Sequence, residues 1–440
     1  TQRLAARIFD GLNDPIMGNI IERTRSRYGK FKPWLVAGAL STTAVIVFLF
    51  NTNLTGWSFI TAFGISYFAF SITYTMNDIA YWGMIPALSR DGGARDTFTS
   101  RATLFAGIGN ALASVAIPVF TTGAMALGGS TKSGYGIISI IIGILAPTIL
   151  LVTIFGVREN RDDMNTPPTP ISLKKIVSTI TGNDQLLAIS LCFLIQETGS
   201  MLIVGGMGST YIYFMYGYRG GLYSTFTLVG LSATAFLMIF YPVIAKKFGR
   251  MKLMGILAVI SVVGAVMMLA SRALGASMTG FWILAIGYML NGFGQYGYYL
   301  IMMISILNTV EYNEYKYGTR DEAIIASLRP FLTKLASALV VMITSLTYMI
   351  FGVTKYTNQI SSYENQAASG SISDAEKLDS IDSVLSTVNS YQTDGLLFVM
   401  VILATGFMLL SYFIYKKNYR LDEAEYDRIC RELDERKQRM

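Results

Sequence analysis

Long runs of apolar residues, broken by short polar stretches, divide almost the whole chain. A helix that crosses a bilayer needs about 20 mostly apolar residues. Runs of that kind lie near 1–22, 34–52, 57–88, 102–127, 135–156, 185–216, 222–245, 253–271, 279–310, 323–353 and 395–415. Each is expected to form a membrane-spanning helix, and the longer ones to project beyond the lipid. The polar stretch 157–184, with Arg158, Arg161, Pro167, Pro168, Pro170, Lys174 and Lys175, separates five runs from six. This predicts an N-terminal helical half over 1–156, a linker over 157–184, a C-terminal helical half over 185–415 and a tail over 416–440.

Basic residues fix the expected orientation. One alternate set of loops carries Arg23, Arg25, Arg27, Lys30 and Lys32, then Arg90, Arg95 and Arg101, then the linker, then Lys246, Lys247, Arg250 and Lys252, then Lys316 and Arg320. The other set holds only Lys132, Arg219, Arg272, Lys355 and Lys377. Loops rich in lysine and arginine stay in the cytoplasm, and the tail, with Lys416, Lys417 and Arg420, falls on that side. Thr1 then lies outside, in a chain with no signal segment before it. A further helix before Thr1 would give six plus six spans with both ends inside, and one is expected. The acidic stretch 354–394 should be external, with its serine-rich part 361–373 mobile. In the tail, Leu421, Tyr426, Ile429, Cys430 and Leu433 recur at helical spacing, as in a solvated helix lying against the membrane or neighbouring loops.

Composition agrees with lipid as the solvent: 52% of residues are hydrophobic and 14% charged, against about 25% charged in soluble domains. The net charge of +7 sits in the loops just named, which argues against nucleic acid as a partner. Cys192 and Cys430 support no disulfide framework, and the chain has no histidine. A Ser-His-Asp or Cys-His site is therefore excluded, and no cofactor and no enzyme activity are expected. The stretch Gly205-Gly206-Met207-Gly208 lacks the lysine and Ser/Thr of a phosphate loop, so it reads as a place of close helix packing.

Charge inside the membrane is expensive and marks function. Arg7, Asp10 and Asp14 share one helical face with Asn13 beside them. Two carboxylates and an amide oxygen make a hard oxygen cluster suited to an alkali cation or a proton; the other reading is neutralisation by Arg7. Thr75, Asp78 and Trp82 share a face further on. A hydroxyl, a carboxylate and an indole on one stripe suit a sugar, although a tryptophan near a helix end also serves as an interfacial anchor. Arg329 and Lys334 flank Pro330 in an apolar run. Glu197, in the sixth run, either partners them or hydrogen-bonds within the bundle.

The stretch Asp10-Gly-Leu-Asn13-Asp14-Pro15-Ile-Met-Gly18, followed by Arg23-Thr24-Arg25-Ser26-Arg27-Tyr28-Gly29-Lys30-Phe31-Lys32-Pro33-Trp34, resembles the second helix and following loop of the glycoside–pentoside–hexuronide:cation symporters. Thr75…Asp78-Ile79…Trp82 and the stretch from Glu311 to Arg320, with Lys334 beyond it, resemble the same family. That resemblance implies an all-α membrane protein of the major facilitator fold, with two six-helix halves rocking about a central site. It implies cation binding, as metal ligands for Na+ or as the seat of H+ or Li+, at Asp10, Asn13, Asp14 and Thr75. It implies sugar contacts at Asp78, Trp82, Arg101 and, more loosely, Tyr299, with Lys334 as the lysine linking the charge network of the two halves; Arg7 and Glu197, from the charge reading above, are its expected further members. Ala80 departs from the family's proline. Arg329 replaces a glutamine near the sugar, and would either hold an acidic sugar or bridge to Glu197 or Asp78.

The expected function is symport of a sugar, glycoside or uronide with a monovalent cation across a cell membrane. A sugar sensor that moves nothing, a lipid or drug carrier of the same fold and an intramembrane hydrolase using the carboxylates are the alternatives.

Overall fold

The structure, a computed structural model, describes residues 13, 17–18, 20–21, 23–88, 92–121, 126–157, 178, 181–318 and 322–439. Among them every regular element is a helix. Eight of these helices are long and apolar enough to cross a membrane. The chain divides into two compact units, Thr1–Leu173 and Lys174–Met440.

In the first unit, α1 (Lys32–Asn51) starts at a proline, Pro33, whose missing N–H costs nothing in a first turn. It packs between α2 (Gly56–Leu88) and α4 (Thr131–Gly156), with α3 (Gly92–Thr121) in between along the chain. Gly38 lets α1 and α2 approach closely: a Cβ there would stand 2.7 Å from the Asn77 backbone nitrogen. Asn77 returns the contact by donating to the Leu35 carbonyl at 3.1 Å. Across the other face, Asn51 donates to the Ser139 hydroxyl at 3.0 Å, and Lys32 Nζ donates to the Ile154 carbonyl at 2.7 Å. Ser130 and Ser133 close the start of α4 as a capping box. Ile144, Leu145, Val152 and Phe155 stand exposed on α4, an arrangement that water would penalise and lipid does not.

The second unit opens with α5 (Asp184–Met201), a π-helical segment (Leu202–Met207) and α6 (Gly208–Tyr216), which together make one span. Then come α7 (Gly220–Phe248), α8 (Arg250–Ala270), α9 (Met278–Tyr317) and α10 (Glu322–Ile350). The widened π turns leave the Val204 carbonyl open, and the Tyr223 hydroxyl on α7 donates to it at 3.2 Å. Helices α8 and α9 meet glycine to glycine, since a Cβ on Gly264 would lie 2.4 Å from the Gly287 carbonyl oxygen. A buried amide, Asn291, donates to Ser261 Oγ at 2.8 Å and Thr405 Oγ1 at 3.0 Å. It thereby ties α8 and α9 to α13 (Ser390–Asn418). Small residues and interhelical amide bonds are how helices associate when lipid removes the hydrophobic drive.

Two features depart from the sequence expectation. The polar stretch after α10 forms a helical hairpin, α11 (Val353–Ala368) and α12 (Asp374–Ser386), where a mobile serine-rich loop was expected. Its hinge is ordered by a capping box in which the Ser373 hydroxyl takes the Glu376 N–H and Glu376 reaches back at 2.8 Å. Lys377 is buried against the hairpin and pairs with Asp374 at 2.8 Å and Glu364 at 3.6 Å. The tail forms α14 (Glu423–Arg439), a helix as its spacing predicted, but its apolar side chains pack into the helical core where the membrane or neighbouring loops were expected to receive them. Leu421, Ile429 and Leu433 enter the same core as Leu253 and Ile306, and Arg436 and Arg428 stand over the Tyr315 ring.

Candidate functional site

In the first unit, Arg7, Asp10 and Asp14 lie outside the described residues. Their neighbour Asn13 is buried, and its amide nitrogen has no hydrogen-bond partner among the described residues. One turn on, Met17 and Ile21 share a core with Phe31, Leu35, Ala80 and Met84. This core sets the helix bearing Asn13 against α1 and α2. On α2, Thr75 is buried, whereas Asp78 and Trp82 are half-buried. The Trp82 ring meets the Tyr81 ring edge-on at 5.4 Å. Ala80, fully buried, fits this packing without the proline expected there. Arg101 is exposed on α3.

In the second unit, Glu197 is buried one turn before the π-helical segment. Arg329, followed by Pro330 inside α10, donates from Nη1 to the Tyr299 hydroxyl at 3.1 Å. Its Nη1 also touches Met303 Sδ at 3.9 Å. Tyr299 in turn leans on Phe193 of α5, with ring centres 5.7 Å apart. The expected alternative of a bridge between Arg329 and Glu197 is not formed; no ion pair joins them within 4.0 Å. Lys334 is half-buried further along α10.

The structure adds residues that the sequence did not single out. Ser200 sits beside the Glu197 carboxylate, and Gln196 donates to the Gln295 carbonyl at 2.9 Å. Gln295 then donates to the Ala404 carbonyl at 3.0 Å. The i, i+3 spacing of Glu197 and Ser200 was a legible signal. The pairing of Gln196 with Gln295 spans almost a hundred positions and had none.

A family profile described as MFS/sugar transport protein matches residues 2–375. The chain belongs to this family. Within it, the chain is similar to the lactose permease of Leuconostoc lactis, with 30% identity over 76% of this chain and 52% of that protein. It is also similar to the raffinose carrier protein of Pediococcus pentosaceus, with 27% identity over 76% of this chain and 52% of that protein. The chain thus spans about half the length of these curated relatives. Among solved structures, a bacterial homologue of the iron transporter ferroportin matches with a TM-score of 0.59 and 14% identity, over 95% of this chain and 88% of that one. A likeness at that identity speaks for the fold alone, which is the major facilitator fold expected from the sequence.

Proposed function

We propose that this chain is a secondary transporter that carries a sugar or glycoside across a cell membrane together with a monovalent cation. The observation that carries this reading, beside family membership, is the burial of Asn13 and Thr75 within one apolar unit. In the topology read from the loop charges, the helix bearing Asn13 and helix α2 run in the same direction. Both residues precede the core shared by Met17, Ile21, Ala80 and Met84, Asn13 by one turn of its helix and Thr75 by more than one. Oxygen donors of this kind, joined by Asp10 and Asp14, suit a hard cation such as sodium, with lithium or a proton as the other candidates. Asp78, Trp82, Arg101, Tyr299, Arg329 and Lys334 are the proposed sugar-binding residues. Each ligand would raise the affinity of the other, by the reciprocity of linked binding. The relatives named above are carriers, and nothing in this reading calls for covalent chemistry.

The test is uptake of a panel of labelled sugars into proteoliposomes, with and without a sodium gradient. Sodium should raise uptake in the wild type, and Asp14→Asn should abolish that rise. Sodium-independent accumulation in both proteins would remove sodium as the coupling cation.

A second reading of the substrate rests on Arg329. Its only described partners are a phenol and a thioether, both neutral, so its charge is available to a uronide carboxylate.

A further inference from the structure

The second unit holds a buried acid that the cation site does not use. Glu197 is 7% exposed, and among the described residues its carboxylate has one weak partner, the Ser200 hydroxyl at 3.4 Å from Oε2. That hydroxyl also bonds the Glu197 backbone carbonyl at 3.0 Å, so the carboxylate receives only a share of it. The helices packed against this turn supply the remaining neighbours. Arg329 of α10 is close enough for its charge to act on Glu197, and Tyr296 and Tyr299 of α9 are close enough to feel the charge of Glu197. Lys334 lies further along α10. Helix α13 offers Ala404 and Phe407 where it meets Gly199, and the π-helical segment contains no titratable residue.

A carboxylate inside a membrane bundle persists either by pairing with a cation or by carrying a proton. Pairing is not made here, although a guanidinium is near. Arg329 instead gives Nη1 to the Tyr299 phenol, a neutral acceptor. The arrangement therefore has two alternative partners for each group. We infer that Glu197 binds and releases a proton, neutral while Arg329 rests on Tyr299 and ionised when Arg329 leaves Tyr299 to pair with it. The proton comes from and returns to water, and the exchange is a second coupling site, on the opposite unit from Asp10 and Asp14. The proton site itself stands without the transport reading; only its coupling to a transport cycle rests on that reading.

The experiment is infrared difference spectroscopy of the full chain in lipid bilayers through a pH titration, with no sugar present. Wild type should show a protonated-carboxyl stretch that titrates and that Glu197→Gln removes. Tyr299→Phe, which takes away the competing acceptor, should move the midpoint of that band down by about one pH unit, a tenfold change. Arg329→Gln should move it up by at least as much. A titrating band unchanged in Glu197→Gln, or a midpoint unmoved in both Tyr299→Phe and Arg329→Gln, overturns the proposal. Should Glu197→Gln not fold, the two opposite midpoint shifts decide alone. Failure of the transport reading would show separately, as absent sugar uptake by a wild-type protein whose band still titrates.

Discussion

Arg250 and Glu423 join the first residue of α8 to the first turn of the tail helix through two bonds to one oxygen. The Arg250 backbone N–H donates to Glu423 Oε1 at 2.8 Å and its Nε at 3.1 Å. Burial works against the charged carboxyl of Glu423, but the bonds from Arg250 outweigh it and hold the group below its usual range. The Asn308 side-chain oxygen, in its satisfied orientation, takes the two remaining guanidinium nitrogens at 2.8 and 3.2 Å.

Glu423→Gln should lower the melting midpoint at neutral pH. The side chain is 51% exposed, so the loss is about 0.5–1 kcal/mol, as for a screened ion pair. A depressed carboxyl stabilises the fold above its unfolded value of about 4.5 and stops doing so as pH falls through the lower folded value. The gap between wild type and Glu423→Gln should therefore close on acidification below about pH 4. Thermal unfolding in detergent across pH measures it; a gap that persists in acid would assign the loss to packing.

Lys377 should prove the fastener of the α11–α12 hairpin. Its side chain is 5% exposed and holds Asp374 and Glu364, and Glu364 also accepts from the Tyr218 hydroxyl at 3.0 Å. Removing the cation leaves Glu364 with that phenol alone. Lys377→Ala is expected to cost about 2–3 kcal/mol, somewhat below the figure for a fully buried pair because Asp374 is half-exposed. Limited proteolysis should then cut within 353–390, where the wild type resists.

Gly264→Ala should destabilise the second unit by about 1–3 kcal/mol, the usual cost of overpacking. The added methyl would lie 2.4 Å from the Gly287 carbonyl oxygen and 2.5 Å from the Asn291 nitrogen. Gly255→Ala, on the same helix, would approach only the Tyr412 hydroxyl, at 3.9 Å. It should be neutral or slightly stabilising, since alanine favours helix over glycine. Equal melting midpoints for the two variants would contradict the glycine-to-glycine contact.

If Arg329 recognises an acidic sugar, uronides should compete with neutral glycosides for uptake, and Arg329→Gln should weaken that competition roughly tenfold, the value of one charged hydrogen bond. Tyr299→Phe should weaken it less than Arg329→Gln, because the guanidinium charge is still present although Glu197 then competes for it. Competition unaffected by Arg329→Gln would return the residue to a packing role.

The spans were legible because lipid thickness imposes a length that apolar runs reveal directly: the expected 34–52, 57–88 and 253–271 correspond to Lys32–Asn51, Gly56–Leu88 and Arg250–Ala270. Helices beyond the lipid were less legible. The run 279–310 was expected to end where polar residues begin, but α9 continues to Tyr317. Tyr312 and Lys316 both donate to Asp184, at 2.9 and 2.7 Å, and so support the extra turns from another helix. The hairpin was hidden by its serine content, although Ser373 and Glu376 carried the signature of a helix start. At the site, residue types were readable and partners were not. Opposite charges left Arg329 a choice among Glu197, Asp78 and an acidic sugar, and only three-dimensional packing brings Tyr299 into its path.

The π-helical segment Leu202–Met207 has a bearing on phase. Each widened turn takes up an additional residue, which rotates everything after it by about 100° around the axis. Before it, Phe193 and Gln196 address α9 through Tyr299 and Gln295; after it, Phe214 and Tyr216 meet the edges of Tyr356 and Phe281. One span thus serves two sets of neighbours that a regular helix could not reach together. Gly208 holds the offset open, since a Cβ there would come within 2.5 Å of the Ile203 carbonyl oxygen. A side chain at that position would push the helix back into register and turn one of its two halves away from its neighbours.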